Sequence, residues 1–389
     1  MHGKKGKIGV KILKLGHKFD VVHISSVHIL KDTRIFYKEC LSLKKTGFKV
    51  KLMNQAENDL EIDGISVIAL PISSNRFERF TKTLFKAFKL AYREKADIYH
   101  LHDPELIPLG IFLRMLGRQV VYDMHENVPR QILSKKWISP IIRKPLAILV
   151  KAFERLCLNS FYVVFAETSY LKDYLWVKKN ITVLNLPLVD ELLRISYSSA
   201  KKDKIFRVGY IGGVTIDRGI DVCISAINEL RDRGEEIVFE CIGPVDKNVN
   251  SLPLWQKGIA NGWIRSYGRL PAKEGWPIVA KCHVGMAILK PIENYYESYP
   301  TKMFEYMAMG LPVVVSDFPL YKKVIDESHS GYAVDPMNVE HAVEALEKII
   351  NDKEKALYMS RCARKAATEN YNWEAEFRKL LNLYKKVIN

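Results

Sequence analysis

The feature of this 389-residue chain that most limits its fold is a regular alternation of short β-rich runs with amphipathic helical stretches. Such an alternation is typical of parallel sheets covered by helices. In the first half of the chain it predicts one doubly wound domain with five strands, at Asp20 to Ser25, Phe48 to Met53, Asp97 to Leu101, Gln119 to Asp123 and Tyr162 to Ala166.

A second domain of the same α/β class is predicted after a polar stretch that contains Lys201, Lys202 and Asp203. A chain of this length exceeds what one core usually organises, which favours two domains, at residues 1–190 and 204–370. Ligands of such sheets bind beyond the carboxyl ends of the strands, so a substrate is expected in a cleft between the two domains. The strands of the second domain are predicted at Phe206 to Ile211, Glu236 to Ile242, Trp263 to Tyr267, Val284 to Leu289 and Pro312 to Val315.

A phosphate-binding helix is predicted between Pro300 and Gly310. Proline fits the first turn of a helix, glycine fits its C-terminal cap, and Pro312 restarts the chain as a strand. The free N–H groups and the positive end of the helix dipole attract phosphate, and Lys302 adds a full charge in the first turn. A diphosphate is therefore the expected ligand.

Two carboxylates accompany this helix. Glu297 precedes it and can contact a sugar hydroxyl, whereas Glu305 lies one turn inside and can accept hydrogen bonds from ribose hydroxyls. A pair of carboxylates is also what a glycosidase requires. Their position beside a phosphate-binding helix favours sugar transfer over hydrolysis.

A glycine loop after the strand that ends at Ile211 is a second candidate for phosphate binding. Gly212 and Gly213 allow backbone amides to approach a phosphate, and Arg218 can hold two of its oxygens. Gly243 follows another predicted strand and can bring the backbone close to the same ligand. These glycines are also compatible with turns that serve backbone geometry alone.

The segment Glu297 to Ser316 resembles the family 4 retaining glycosyltransferases (glycosyl transferases group 1), whose C-terminal domain carries Glu-x7-Glu followed by Met-Ala-x-Gly-x-Pro-Val-Val. The resemblance covers nearly the whole chain and implies a GT-B fold, in which residues 371–389 form a helix that crosses back onto the first domain. It implies a metal-independent hexosyltransferase that acts with retention. Its nucleotide-diphosphate sugar is a donor substrate, and no cofactor is implied.

The resemblance also assigns roles to individual residues. His125 matches the family's active-site histidine at the end of a strand, where it is expected to contact the transferred sugar. Arg218 and Lys302 are expected to stabilise the departing diphosphate. Gly213 occupies a position where the family often carries arginine, so the missing phosphate contact is expected from Lys290 or from the first domain.

The loop after the first predicted strand lacks the Gly-Gly that most relatives carry. Arg34 either replaces that backbone approach with a charged side chain or simply lies at the start of a helix capped by Asp32 or Thr33.

A metal site at His100, His102 and Asp103 is a possible interpretation of three metal-competent side chains so close in sequence. The alternation of the two histidines fits one buried strand face equally well. The sequence contains no Asp-x-Asp motif, and its six cysteines include no Cys-x-x-Cys pair. We therefore predict no metal site.

The net charge of +16 indicates an anionic partner. Two basic and apolar stretches, Arg76 to Lys95 and Arg130 to Arg155, the latter with Lys135, Lys136 and Trp137, predict attachment to an anionic membrane surface. In the first stretch the apolar stripe is expected to pack on the protein's own sheet and to leave only the basic face for the membrane. That stripe consists of Phe77, Phe80, Leu84, Phe88 and Tyr92.

No run of about 20 apolar residues suggests a membrane-spanning helix. The start, Met1 to Lys18, is interrupted by lysines, which favours a cytoplasmic protein that is peripheral at the inner face of the membrane. The expected acceptor is a glycan or a lipid-linked glycan of cell-surface polysaccharide biosynthesis. The alternatives are a nucleotide-sugar epimerase or hydrolase of the same fold and a nucleic-acid-binding protein, for which the chain carries no recognition motif.

Overall fold

The computed structural model describes residues 20–135, 137–198 and 205–388. The chain forms two compact units, the first made of Met1–Leu184 with Phe377–Asn389 and the second of Asn185–Glu376. Some residues named above lie outside the described part: Met1 to Lys18, Lys136, Lys201, Lys202 and Asp203.

The first unit contains a sheet of eight strands. Their bounds are β1 Asp20–Ile24, β2 Lys49–Gln55, β3 Leu60–Ile62, β4 Ile65–Leu70, β5 Ile98–Leu101, β6 Gln119–Met124, β7 Tyr162–Phe165 and β8 Asn180–Thr182. The spatial order is β3-β4-β2-β1-β5-β6-β7-β8, and all neighbours pair in parallel except the hairpin of β3 and β4. The direction of winding reverses between β1 and β5, which is the switch point where doubly wound sheets bind ligands.

The second unit contains a parallel sheet of six strands. Their bounds are β9 Phe206–Ile211, β10 Ile237–Ile242, β11 Ile264–Ser266, β12 Val284–Ala287, β13 Val313–Ser316 and β14 Gly331–Val334. The order β11-β10-β9-β12-β13-β14 is the dinucleotide-fold order, with its switch point between β9 and β12.

Helical segments connect these strands. In the first unit they are Thr33–Cys40, Leu41–Lys45, Arg76–Glu78, Arg79–Thr83, Leu84–Glu94, Pro104–Leu106, Ile107–Met115, Val128–Ser134, Pro140–Leu158 and Tyr170–Asp173. In the second unit they are Val189–Ser198, Ile216–Arg218, Ile220–Asp232, Lys247–Asn250, Pro253–Ala260, Ala272–Val279, Glu293–Tyr296, Thr301–Met309, Pro319–Ser328, Val339–Asn351 and Lys353–Glu369. The last helix, Trp373–Ile388, begins in the second unit and continues into the first.

All ten strands predicted from the sequence are confirmed, with ends shifted by at most two residues. Their apolar runs form strands that are buried on both faces, as in β5, β12 and β13, where every residue is buried. The strands that the sequence did not predict are β3, β4, β8 and β14. Three of these lie at sheet edges, where partial exposure weakens the apolar pattern.

The basic helix of the first unit differs from its prediction. Leu84 and Phe88 pack against the core, but the fully buried residues of helix Leu84–Glu94 are Ala87 and Ala91. Phe77, Phe80 and Tyr92 are exposed by 76%, 55% and 58%, so most of the stripe does not pack on the sheet. The apolar stripe therefore adds to the exposed surface.

The C-terminal helix carries a large buried side chain of the first unit, Tyr384. Its ring packs edge-on against Phe48, and its hydroxyl lies 2.7 Å from His100 Nδ1. Among the described residues, no helix is both long enough and apolar enough to span a bilayer.

Candidate active site

The predicted phosphate-binding helix is present as Thr301–Met309. Pro300 is its N-cap, and Gly310 ends it with a left-handed backbone, φ 74°. Lys302 lies in the first turn, but its side chain does not extend into solvent and is only 8% exposed. Its Nζ sits 3.8 Å from the centre of the Tyr210 ring, a cation–π contact that holds the ammonium against β9.

The ammonium of Lys302 has no hydrogen-bond partner among the described residues. Burial and the neighbouring Arg218 guanidinium lower the pKa of Lys302 to about 7. A buried cation without a partner is costly, and proteins usually pair such a group or neutralise it. The site therefore has an excess of positive charge that a bound anion would balance.

The glycine loop after β9 makes room for this pair of cations. A Cβ added to Gly212 would lie 3.2 Å from Arg218 Nη1 and 3.8 Å from Lys302 Nζ, so a side chain here would crowd both cations. Arg218 ends the short helix Ile216–Arg218, and Gly219 follows with φ 67°. A Cβ on Gly219 would lie 2.1 Å from the carbonyl oxygen of Ile288, so only glycine fits there without rearrangement.

The backbone amides of this region are already engaged. Gly212 N–H donates to the Ile242 carbonyl at 2.8 Å, and Gly243 N–H donates to the Gly268 carbonyl at 2.7 Å. Gly243 has φ 145°, and a Cβ there would lie 1.8 Å from the carbonyl oxygen of Gly212. In this conformation these two amides hold the loops together and are not available to an anion.

A cavity of about 450 Å³ lies at the carboxyl ends of β9 and β12, the switch point of the second sheet. Lys302, Arg218 and Glu305 supply charged groups to its wall, and Trp276 supplies a large aromatic one. Its lining residues are Ile211, Gly212, Arg218, Leu270, Ala272, Trp276, Leu289, Tyr295, Ser298, Tyr299, Pro300, Thr301, Lys302 and Glu305.

The first unit presents His125 directly after β6. Its Nε2 lies 3.0 Å from Asp123 Oδ2, and its side chain is 16% exposed. Arg34 clamps Asp123 with two hydrogen bonds, from Nε at 2.8 Å and from Nη2 at 2.9 Å. Burial by itself would raise the pKa of Asp123, but Arg34 and His125 hold that pKa well below its usual range. The ionised carboxylate can fix the orientation of the His125 ring.

Arg34 is thus an internal residue of the first unit. Its Nη1 donates to the Val183 carbonyl at 2.9 Å, and only 3% of the residue is exposed. Asp32 caps the helix, as its carboxylate accepts from the N–H groups of Arg34 and Ile35. The guanidinium is bound to groups inside the first unit. The structure therefore does not support the hypothesis that Arg34 takes the place of the missing Gly-Gly loop in ligand binding.

Two family descriptions match the chain in sequence. "Glycosyltransferase Family 4" matches residues 33–184, and "Glycosyl transferases group 1" matches residues 193–366. The chain belongs to the family 4, group 1 glycosyltransferases. This confirms the resemblance carried by Glu297 to Ser316.

Individual relatives are distant. The chain is 22% identical over 184 residues to alpha-D-kanosaminyltransferase of Streptomyces kanamyceticus, a match that covers 46% of this chain and spans only 45% of that relative's length. Sucrose-phosphate synthase of Thermosynechococcus elongatus has a similar structure, with a TM-score of 0.70, 16% identity and coverage of 95% of this chain and 99% of that one. HepE of Anabaena in complex with UDP-glucose gives a TM-score of 0.66 at 13% identity, with coverage of 94% and 99%. These structures confirm the expected GT-B fold.

The predicted site residues of this family 4 glycosyltransferase fall at several places. Arg218, Lys302, Glu305 and Gly212 meet around the cavity. Glu297, just outside it, is the C-cap of helix Glu293–Tyr296 and precedes the cavity residues Ser298 and Tyr299. Gly213 lies beside Arg218, since a Cβ there would be 3.7 Å from Nη1, and Gly243 lies behind Gly212. His125 belongs to the first unit.

Lys290 does not point freely toward the cavity of this glycosyltransferase. Its Nζ pairs with Asp221 Oδ2 at 2.5 Å, so its charge is already balanced. Sequence reasoning missed Tyr210, which supports the Lys302 ammonium, and Trp276 in the cavity wall. Trp276 lies in the helix that directly follows the turn at Gly268 to Pro271, and that glycine- and proline-containing turn can be recognised in the sequence. The role of Tyr210 depends on tertiary packing and gave no such signal.

The first unit also holds four clustered metal-competent side chains: His23, Glu39, His100 and His102. Asp103, which the sequence grouped with the two strand histidines, is directed elsewhere. Its Oδ2 accepts from Ser25 Oγ at 2.9 Å and from Ser26 N–H at 2.6 Å.

Proposed function

We propose that the chain is a retaining, metal-independent glycosyltransferase that takes a sugar from a nucleotide-diphosphate donor held in the cavity of the second unit. The observation that carries the proposal is the buried Lys302 ammonium, which has no hydrogen-bond partner among the described residues and lies beside Arg218. The complex of HepE with UDP-glucose supports the donor class, because that protein has the same fold.

The chemistry follows from where negative charge develops. When the bond between the sugar and the diphosphate breaks, charge accumulates on the phosphate oxygens, and Lys302 and Arg218 stabilise it. Both are side-chain donors in a partly enclosed cavity, where charge-assisted hydrogen bonds are strong. Glu305 accepts hydrogen bonds from the ribose, and Glu297 accepts one from the sugar.

In a retaining transfer the acceptor hydroxyl attacks on the face from which the diphosphate leaves. The departing phosphate oxygen takes the acceptor's proton, so no protein base is needed. His125, oriented by Asp123, is proposed to contact the transferred sugar. Its role is tested separately from donor binding, because His125→Ala should lower turnover and leave nucleotide affinity unchanged.

The test is nucleotide release from a panel of UDP-, GDP- and ADP-sugars in EDTA, with and without lipid extract from the native host. Release that uses one donor, rises with lipid and collapses in Lys302→Ala supports the proposal, and Lys281→Ala, which removes an exposed lysine of the same unit, serves as the matched control. Release that is independent of any acceptor would instead favour a hydrolase. No release with any donor in the presence of lipid would count against the proposal.

We also propose that the first unit attaches to an anionic bilayer through helix Pro140–Leu158. This helix exposes large apolar side chains, with Ile141 at 86%, Ile148 at 70% and Leu156 at 81%. Lys144, Lys151 and Arg155 are exposed on the same helix, and Trp137 just before it is 69% exposed. Apolar side chains interleaved with basic ones are typical of helices that lie in a membrane interface.

A second cavity of this surface fits a lipid-linked acceptor. It measures about 260 Å³ and lies between helices Val128–Ser134 and Pro140–Leu158. Lys144 and Lys151 line it together with apolar side chains, and Arg130 and Asp173 line it as an ion pair with 2.6 Å between Nε and Oδ2. Basic and apolar groups in one cavity suit a phosphate attached to a hydrocarbon chain, which supports an acceptor of cell-surface polysaccharide synthesis.

Membrane attachment is tested by sedimentation with vesicles of neutral lipid and with vesicles that contain anionic lipid. Each basic residue near an anionic surface contributes about 1 kcal/mol, so reversal of Lys144, Lys151 and Arg155 to Glu should weaken binding by at least about 100-fold. The matched control reverses three exposed lysines of the second unit, Lys281, Lys322 and Lys353. Equal losses in both triple variants would indicate a nonspecific effect of net charge and would sink the assigned surface.

A further inference from the structure

Three elements of the first unit bring metal-ligating side chains together below its switch point. His23 comes from β1, His100 and His102 come from β5, and Glu39 comes from helix Thr33–Cys40. All four residues are at most 1% exposed, and one donor atom of each lies within 4.8 Å of all the others. None of the four has a role in the proposed sugar transfer.

The spacing of the donor atoms is close to that of a tetrahedral site. Glu39 Oε2 lies 3.7 Å from His23 Nδ1, 3.8 Å from His100 Nδ1 and 3.8 Å from His102 Nε2. His23 Nδ1 lies 2.9 Å from His102 Nε2. Ligands of tetrahedral zinc at about 2.0–2.1 Å are separated by about 3.4 Å, a value that falls between these distances.

The polar atoms of this cluster are poorly satisfied by the protein itself. Neither carboxylate oxygen of Glu39 accepts a hydrogen bond among the described residues. Arg34 Nε approaches Glu39 Oε1 to 3.2 Å, but its N–H donates to Asp123. A buried carboxylate without hydrogen bonds is costly, whereas coordination to a cation would satisfy it.

We propose that His23, Glu39, His100 and His102 bind one zinc ion. Three imidazoles and one carboxylate are suitable ligands for zinc, and four protein ligands with no open position are typical of a structural site. In the metal-free state the 2.9 Å contact between His23 and His102 needs a proton on one of the two nitrogens. On binding, this proton moves to the other nitrogen of its own ring, and both contacting nitrogens then donate their lone pairs to the metal.

Tyr384 of the C-terminal helix borders this site. Its OH lies 2.7 Å from His100 Nδ1, so it must release that nitrogen before the nitrogen can bind zinc. The site differs from the three-residue metal hypothesis of the sequence, because it uses His23 and Glu39 and does not use Asp103.

This zinc is structural, and the proposal does not depend on the proposed transferase activity. All four ligands belong to the first unit, whereas Lys302 and Arg218 belong to the second. EDTA should therefore affect thermal stability and leave nucleotide binding intact at a temperature where the chain stays folded. A failure of nucleotide binding would therefore count against the donor site of the proposed function, whereas a failure to bind metal would count against the zinc site.

The test begins with the full chain, purified without chelator from zinc-supplemented cells. Elemental analysis should give about one zinc per chain. Growth or reconstitution with Co²⁺ should give the intense visible absorption of tetrahedral cobalt, and a strong chelator should lower the melting temperature. Substoichiometric background metal, featureless cobalt spectra and an unchanged melting temperature would together overturn the proposal in favour of a metal-free hydrogen-bonded cluster.

Two variants and one control sharpen the result. Glu39→Gln keeps the size of the side chain but removes the anionic ligand, and it should abolish the cobalt spectrum. Tyr384→Phe removes the hydroxyl that contacts His100 Nδ1 and should retain full zinc. His341→Gln removes an exposed histidine of the second unit and should retain full zinc. Full zinc in Glu39→Gln would contradict the assigned ligand set.

Discussion

The two switch points of this glycosyltransferase occupy equivalent places in equivalent sheets, yet their charges are arranged in opposite ways. Between β9 and β12, two cations meet and Lys302 has no hydrogen-bond partner among the described residues. Between β1 and β5, charged and polar side chains are packed against one another, as in the clamp of Arg34 on Asp123. The topology determines where a site lies, and the balance of charge determines whether the site is open to an external anion.

The largest expected effect concerns the internally balanced region. Arg34→Met leaves Asp123 buried without its cation, and breaking a buried pair in this way costs about 3 to 5 kcal/mol. The free energy of unfolding should fall by that amount in urea titrations. Arg233→Met removes an arginine whose ion pairs are exposed, and it should change stability little. Equal losses of unfolding free energy in the two variants would show that burial does not increase the contribution of the Arg34 pair to stability.

The next effect concerns the open region. Lys302→Met removes a charged contact to the diphosphate and should weaken nucleotide binding by about 1.5 to 3 kcal/mol, or about 10- to 150-fold. Because the buried ammonium has no hydrogen bond among the described residues, the fold itself should lose little stability. Titration calorimetry measures the affinity, and Lys290→Met, whose charge is balanced by Asp221, is a nearby comparison expected to change affinity less.

The glycine loop after β9 gives a third contrast between the two units, because the equivalent turn after β1 contains no glycine. Gly243→Ala would place a Cβ 1.8 Å from the Gly212 carbonyl, at a φ that side chains disfavour. A cost of about 1 to 3 kcal/mol in stability is expected, together with weaker nucleotide binding as the Gly212 loop shifts. Gly234 also has positive φ, but no atom lies within 4 Å of an added Cβ. Gly234→Ala should therefore retain nucleotide affinity.

The smallest effect is a pH dependence of nucleotide binding. Burial and then Arg218 lower the pKa of Lys302 to about 7, against the smaller opposing effects of Cys223, Cys241 and Glu305. A bound diphosphate favours the ammonium, so binding above pH 7 must take up a proton. Affinity should be greatest below about pH 7 and should fall above it by at most about tenfold per pH unit.

Calorimetry in two buffers of different ionisation enthalpy measures this proton uptake. At about pH 8.5 the uptake should approach one proton per nucleotide, since free lysine normally titrates near pH 10.4. The uptake should vanish in Lys302→Met. Identical heats in the two buffers for the wild-type chain would contradict the assignment of the shifted pKa to the nucleotide site.

The sequence predicted those features that local chemistry determines. Pro300 and Gly310 mark the ends of helix Thr301–Met309, and the apolar runs mark the buried strands, because these signals lie within the element that they define. Short edge strands such as β3 and β8 have few buried residues and gave no comparable signal.

Contacts between distant parts of the chain could not be predicted in this way. Arg34 and Asp123 are separated by 89 positions, and the ring that supports Lys302 comes from a strand that precedes it by 92 positions, at Tyr210. The sequence therefore named Lys302 as a phosphate ligand but gave no sign that its ammonium is buried without a hydrogen bond among the described residues. His23 and Glu39 likewise join the strand histidines only in the folded unit.

The most direct test of the central claim is a crystal structure of the chain with the donor nucleotide that the release panel identifies. We expect the diphosphate to lie in the cavity of the second unit, with Lys302 Nζ and Arg218 both within hydrogen-bond distance of its oxygens. The nucleobase should lie at the same end of the second sheet. A nucleotide bound elsewhere, or one whose phosphates contact neither cation, would contradict the account.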